Sequence, residues 1–196
     1  MVATDPSALS PLVWFALAAA ASEPAHPLRN VTLGTVGTDG AAQLRVLVLR
    51  DVVAQDARLV LHTDVRSPKW IELGADPRVS VLGYDPQARQ QIRMRGRAQL
   101  FGPGTEPHQT VWDTLGLWTK TTYCGGPPGD GLDTPVPALT EAPTDQTTAK
   151  GHARFGLIDI QIAQIDWFQH SRGAIKRAVL DYDTRGTLSA ARWIAP

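Results

Sequence analysis

Three short segments carry side chains that can hold an anion. In "QLRVLVLRD", Arg45 and Arg50 bracket the branched run Val46, Leu47, Val48 and Leu49. Five residues apart, they point to opposite faces of a regular strand. They serve one ligand where the strand bends, bulges or borders a groove; otherwise they are rim arginines with heads in water. In "HTDVRSPKW", His62 and Thr63 end an apolar run, Ser67 and Pro68 open a helix, and Lys69 falls in its first turn. Cations are disfavoured there unless a phosphate docks at the helix start, where amides and ammonium act on it together. The plain alternative is a solvated lysine. In "QQIRMRGRAQLF", Gln91, Arg93, Arg95 and Arg97 alternate with Ile92 and Met94. The three arginines read as a solvated sheet face, whereas an amide that donates and accepts suits the edge of a heterocycle.

Other chemistries find no support. "GTVGTDG" has the glycine density of a dinucleotide fingerprint, but it precedes a strand instead of a helix. The histidines (His26, His62, His108, His152, His170) show no metal-ligand spacing, and Gly-x-Ser-x-Gly is absent. No metal is expected and no catalytic residue can be named.

The elements that must position these groups follow from pattern. With 196 residues the chain suits one domain, 1–196. Nineteen Lys+Arg balance nineteen Asp+Glu, so nothing draws it to nucleic acid or an anionic membrane. The lone Cys124 fits a reducing compartment, and "PLVWFALAAAA" is too short to span a bilayer, so a cytoplasmic protein is expected. A helix over about 9–22, capped by Ser10 and apolar almost all round, should be buried on more than one face, against the domain or a partner subunit. Asp39-Gly40 between apolar runs signals a hairpin. Further strands follow at "RLVLHT", "RVSVLGYDP" and "QQIRMRGRAQLF", and again after residue 154, with a helix at "SPKWIEL" and weak helicity over 105–118. Residues 119–151, rich in Gly, Pro and Thr, read as a long irregular loop. This is a mainly β chain with peripheral helices, an antiparallel barrel.

In order and spacing, "TLGTVGTDGAAQLRVLVLR", "LHTDVRSPKWIEL", "DPRVSVLGYDP", "QIRMRGRAQL" and the "WIAP" ending resemble the pyridoxamine 5'-phosphate oxidase family of FMN-binding split barrels, in its broad bacterial branch. The resemblance implies an antiparallel split barrel, a homodimer with FMN at the subunit interface, and an unknown small-molecule substrate. By position it assigns Arg45, Val46, Leu47, Val48, Leu49 and Arg50 to the flavin-binding strand. His62 and Thr63 fall at the Tyr-Thr pair, Ser67 and Lys69 at the phosphate motif, Gln91 at the ring, and Trp167 and Arg177 at residues that reach the flavin. Arg50 also lies where the family has a substrate-contacting lysine. Pro68 replaces an arginine of the phosphate motif, and the substrate-phosphate ligands correspond to Gly173-Ala174-Ile175 and "KTTYCGGPPG". An FMN-dependent oxidoreductase acting on something other than pyridoxamine phosphate is the expectation. A genuine pyridoxamine/pyridoxine 5'-phosphate oxidase and a non-catalytic flavin-binding protein are the alternatives.

Overall fold

A computed structural model describes residues 5–196. Eight strands form one antiparallel sheet: β1 (Asn30–Val36), β2 (Ala42–Val53), β3 (Arg58–Asp64), β4 (Arg78–Asp85), β5 (Gln90–Phe101), β6 (Phe155–Ser171), β7 (Ala174–Tyr182) and β8 (Leu188–Trp193). Their order is β3-β2-β1-β4-β5-β6-β7-β8, and β3 also pairs with β6, which closes a six-stranded barrel. The length of β6 makes this possible. Its first half pairs with β3, from Asp64↔Phe155 to Arg58↔Gln161, and its second half with β7, from Gln164↔Asp181 to Ser171↔Ala174. Thus β7 and β8 extend the sheet beyond the barrel. Where β6 changes partners, the β5–β6 register shifts between Arg95 and Gly96, and a Cβ at Gly96 would run into the Gln161 carbonyl. Glycine is needed there because two backbones approach too closely for any side chain.

Alternation decides what faces inward. Val31, Leu33, Leu49, Leu59, Leu61, Ile92, Met94 and Ile160 fill the barrel, all with no exposed surface. The hairpin turns at Gly40 (φ 82°), as Asp39-Gly40 indicated.

Among the described residues five α-helices accompany the sheet: α1 (Leu9–Ser22), α2 (Pro68–Ala75), α3 (Glu106–Thr114), α4 (Leu117–Thr121) and α5 (Asp145–Thr148). One expectation for α1 is corrected. Ser10 is not its cap: the helix runs on from a 3-10 turn capped by the Asp5 side chain, and the Ser10 hydroxyl meets the Tyr182 hydroxyl at 2.8 Å. Within this chain α1 is buried on one side, through Val13, Trp14 and Leu17, whereas Leu12 and Phe15 stand exposed.

The irregular segment is anchored at its start. Arg66 donates to the Gly125 and Gly126 carbonyls (both 3.2 Å), and Arg154 to those of Cys124 (3.1 Å) and Gly125 (2.8 Å). Tyr123 packs on Trp112 and Phe155 in a second core. Among the described residues no helix is long and apolar enough to cross a membrane.

Candidate functional site

Antiparallel pairing of β2 with β3 sets the centre of the site. The register skips from Leu49↔Leu61 to Asp51↔Val60, so Arg50 is the extra residue of a β-bulge. A pocket of about 290 Å³ opens beside it, lined by Val46, Leu47, Val48 and Arg50 of β2, His62, Thr63 and Asp64 of β3, Lys69 of α2, and Thr122, Tyr123 and Pro128. The strand run, the strand end and the helix start are thus brought together.

Hydroxyls and an ammonium cluster at the α2 end of the pocket. Lys69 Nζ donates to Thr63 Oγ1 (3.2 Å), which lies 3.2 Å from Ser67 Oγ. Ser67 occupies the N-cap position of α2, yet its hydroxyl donates to the Asp64 carbonyl (2.7 Å) and no side chain caps the helix. Burial, and then the Arg45 charge, pull the Lys69 ammonium below its usual range, against Asp64 and Glu72. A cation held where its charge is under-compensated is suited to an anion.

At the other end, burial and then the Arg50 charge push the His62 imidazole down to about 3, so it is neutral near neutral pH. Its Nδ1 is buried without a hydrogen-bond partner, and its ring meets Phe155 edge-on at 5.0 Å. Burial pushes the Tyr123 hydroxyl up to about 12, against the Arg50 charge.

The remaining sequence-predicted residues lie elsewhere. Arg45 sits on the opposite face of β2, bound to Glu72 at 2.8 Å and to the Thr35 hydroxyl. Leu49 is in the barrel core. Gln91 and Arg177 flank Phe168 across β5, β6 and β7, on the outer face of the sheet. There Arg177 and Arg93 both bind Asp166, and the hydrogen bonds from Arg177 lead in holding that carboxyl below its usual range. Trp167 is 5% exposed within the main core and meets Trp193 edge-on. Sequence reasoning missed Tyr123 and Pro128, because their loop gives no periodic signal. The arginines that fix that loop, Arg66 and Arg154, are far from it in sequence.

Comparison with known proteins adds an independent line. Residues 12–102 match the family model described as pyridoxamine 5'-phosphate oxidase, FMN-binding domain. A pyridoxine/pyridoxamine 5'-phosphate oxidase of Rhodopseudomonas palustris is 36% identical over 93 residues, 47% of this chain and 40% of that protein. The Caulobacter vibrioides enzyme of that name is 36% identical over 132 residues, 60% of this chain and 56% of its own. The chain therefore spans about half the length of the curated relatives it matches. Among solved structures, a pyridoxamine 5'-phosphate oxidase-related, FMN binding protein of Nostoc punctiforme superposes with TM-score 0.73 at 21% identity, covering 95% of this chain and 96% of that one. PhzG of Burkholderia lata, in complex with tetrahydrophenazine-1-carboxylic acid, gives 0.70 at 18%, covering 100% and 94%. At such identities these two show the fold. The barrel topology and the match over residues 12–102, just under half of the chain, support the pyridoxamine 5'-phosphate oxidase family of FMN-binding split barrels as the family this chain resembles.

Proposed function

We propose that this chain binds FMN as one domain and acts as an oxidoreductase on a substrate other than pyridoxamine phosphate. The observation that carries the reading is the Lys69–Thr63–Ser67 cluster at an uncapped helix start, opening into the same pocket as Val46, Val48 and Arg50. A phosphate monoester of ≈ −1.5 to −2 charge is matched by an ammonium, hydroxyls and helix amides. The apolar strand run supplies a wall for a flat ring. Lys69 and Thr63 would hold the phosphate, with Ser67 fixing Thr63 from beneath, and Arg45 would act on Lys69 through the field it shares with Glu72. Val46, Val48 and Tyr123 would flank the ring. When bound, the flavin supplies the two-electron redox chemistry. This chain's own part is to orient it and to keep a neutral imidazole and one guanidinium beside it.

A second copy of the chain completes the site in this reading. The pocket volume lies at the lower edge of the ~300–1,000 Å³ usual for ligand sites, so one copy encloses part of the cofactor. On the outer sheet face Leu44, Val46 and Tyr84 are 73%, 64% and 54% exposed, an apolar surface of the kind that marks an interface. Gln91 and Arg177 share that face and would reach the cofactor of the opposite copy.

Absorption of the purified protein, FMN titration and light scattering test this reading together. Flavin bands with saturable FMN binding in a dimer are expected; a monomer that ignores FMN would overturn it. The names of the curated relatives favour a second reading, pyridoxine/pyridoxamine 5'-phosphate oxidase activity. Against it, the Gly125 and Gly126 carbonyls are engaged by Arg66, and Gly173-Ala174-Ile175 form a turn and strand start with no cation among them. Aerobic formation of pyridoxal phosphate by FMN-loaded protein would decide for that second reading.

A further inference from the structure

A second cavity, of about 560 Å³, lies against β2, β3, β6 and α3 and shares Arg50 and His62 with the cofactor pocket. A molecule in it would lie beside whatever fills the first. About half of its wall is apolar, including Val60, Phe101, Val111, Leu115 and Leu157.

Its charges are few and mostly committed. Arg29, Arg50 and Arg58 face Asp51 and Asp159, so three positive minus two negative leaves a formal charge of +1. Arg58 is bound to Asp159 (2.7 Å) and Asp56 (3.3 Å). Arg29 donates to the Ala20 (3.2 Å) and Ala21 (2.7 Å) carbonyls at the end of α1. Among the described residues Arg50 alone of the three has no hydrogen bond or ion pair, and the neutral His62 beside it adds no charge.

We propose that this cavity is the substrate site and that it takes an apolar, flat monoanion, a carboxylate on an aromatic or alicyclic frame, in preference to a phosphate monoester. This rests on the flavin reading of the adjoining pocket. One unshared guanidinium matches one carboxylate as a two-point contact. A phosphate monoester, carrying up to two negative charges, would exceed the cavity's formal +1 and leave acceptor oxygens short of donors, since Arg29 and Arg58 are already engaged. The apolar wall rewards a ring and gives nothing to a small polar acid.

The test uses FMN-loaded protein and three probes of one shape: 1-naphthoate, 1-naphthyl phosphate and 1-naphthol. Binding is read by calorimetry and by the change in the flavin absorption bands. Naphthoate should bind and shift the bands, with the phosphate and the neutral alcohol each at least tenfold weaker. Thr114, exposed at the rim on α3, gives variants that leave the core untouched. Thr114→Glu should weaken naphthoate several-fold, Thr114→Lys should strengthen it, and both should keep the FMN affinity within twofold. Equal or tighter binding of the phosphate, or no response to either Thr114 variant, overturns the proposal. If FMN itself does not bind, the flavin reading has failed, and calorimetry of naphthoate on the flavin-free protein still decides whether the cavity selects the carboxylate.

Discussion

The two ends of β2 carry the same side chain in opposite circumstances. Arg45 lies on the inner face, 20% exposed, bound to a buried Glu72 and to Thr35. Arg50 sits on a bulge between two cavities with no ion pair among the described residues. The first guanidinium neutralises a carboxylate that α2 brings under the barrel rim. The second is left available. An arginine that resembles a ligand contact by sequence position is structural when the fold supplies its anion, and a binding group when the fold withholds one.

The largest effect at neutral pH should come from breaking the satisfied end. Arg45→Ala leaves Glu72 buried without its cation and should cost about 3 kcal/mol of stability in urea unfolding. Loss of stability below about 1 kcal/mol would mean that the pair contributes little and that Arg45 is free to serve the pocket.

Next in size is a pH effect at the other end. In the unfolded chain His62 binds a proton below about pH 6.5, whereas in the fold it does so only near 3. The unfolded state therefore binds more protons between these values, and stability falls as pH drops through that window, by on the order of 2–4 kcal/mol. His62→Phe should flatten that part of the pH–stability curve, and Arg50→Gln should narrow the window from its low-pH end and reduce the loss, because removing a nearby positive charge raises the folded-state value alone. An unchanged curve in both variants would show that His62 is solvated.

Lys69→Ala should weaken FMN binding about tenfold, equivalent to about 1.4 kcal/mol, with little change in unfolding. The converse, lost stability with intact FMN affinity, would move Lys69 into the structural class beside Arg45. The smallest effect on stability is expected from Arg50→Gln at neutral pH, within about 0.5 kcal/mol, since no partner is stranded. A larger loss would mean that the bulge itself depends on that side chain.

What could be foreseen from sequence was what neighbours along the chain decide. Asp39-Gly40 between apolar runs, the alternation from Gln91 to Arg97 and the Pro68 helix start are local signals, and the structure has each in place. The Arg50 bulge is set by the register of β2 against β3, which no property of "RVLVLR" alone contains. The Ser10 cap failed because Asp5, five residues upstream, begins the helical path first. In the pocket, Lys69, Thr63, His62 and the β2 run were legible because one strand end and one helix start hold them. Tyr123 was not, since its burial depends on Phe155 and Trp112 from two other elements.

Arg66 and Arg154 fasten the chain at Cys124-Gly125-Gly126, immediately after Tyr123 enters the pocket wall. Beyond that fastening and the pocket-lining Pro128, residues 129–142 are exposed throughout. Evolution could lengthen, shorten or rewrite that stretch with few packing penalties, while Tyr123 stayed where it is. The fold thus separates a fixed pocket wall from a segment open to variation.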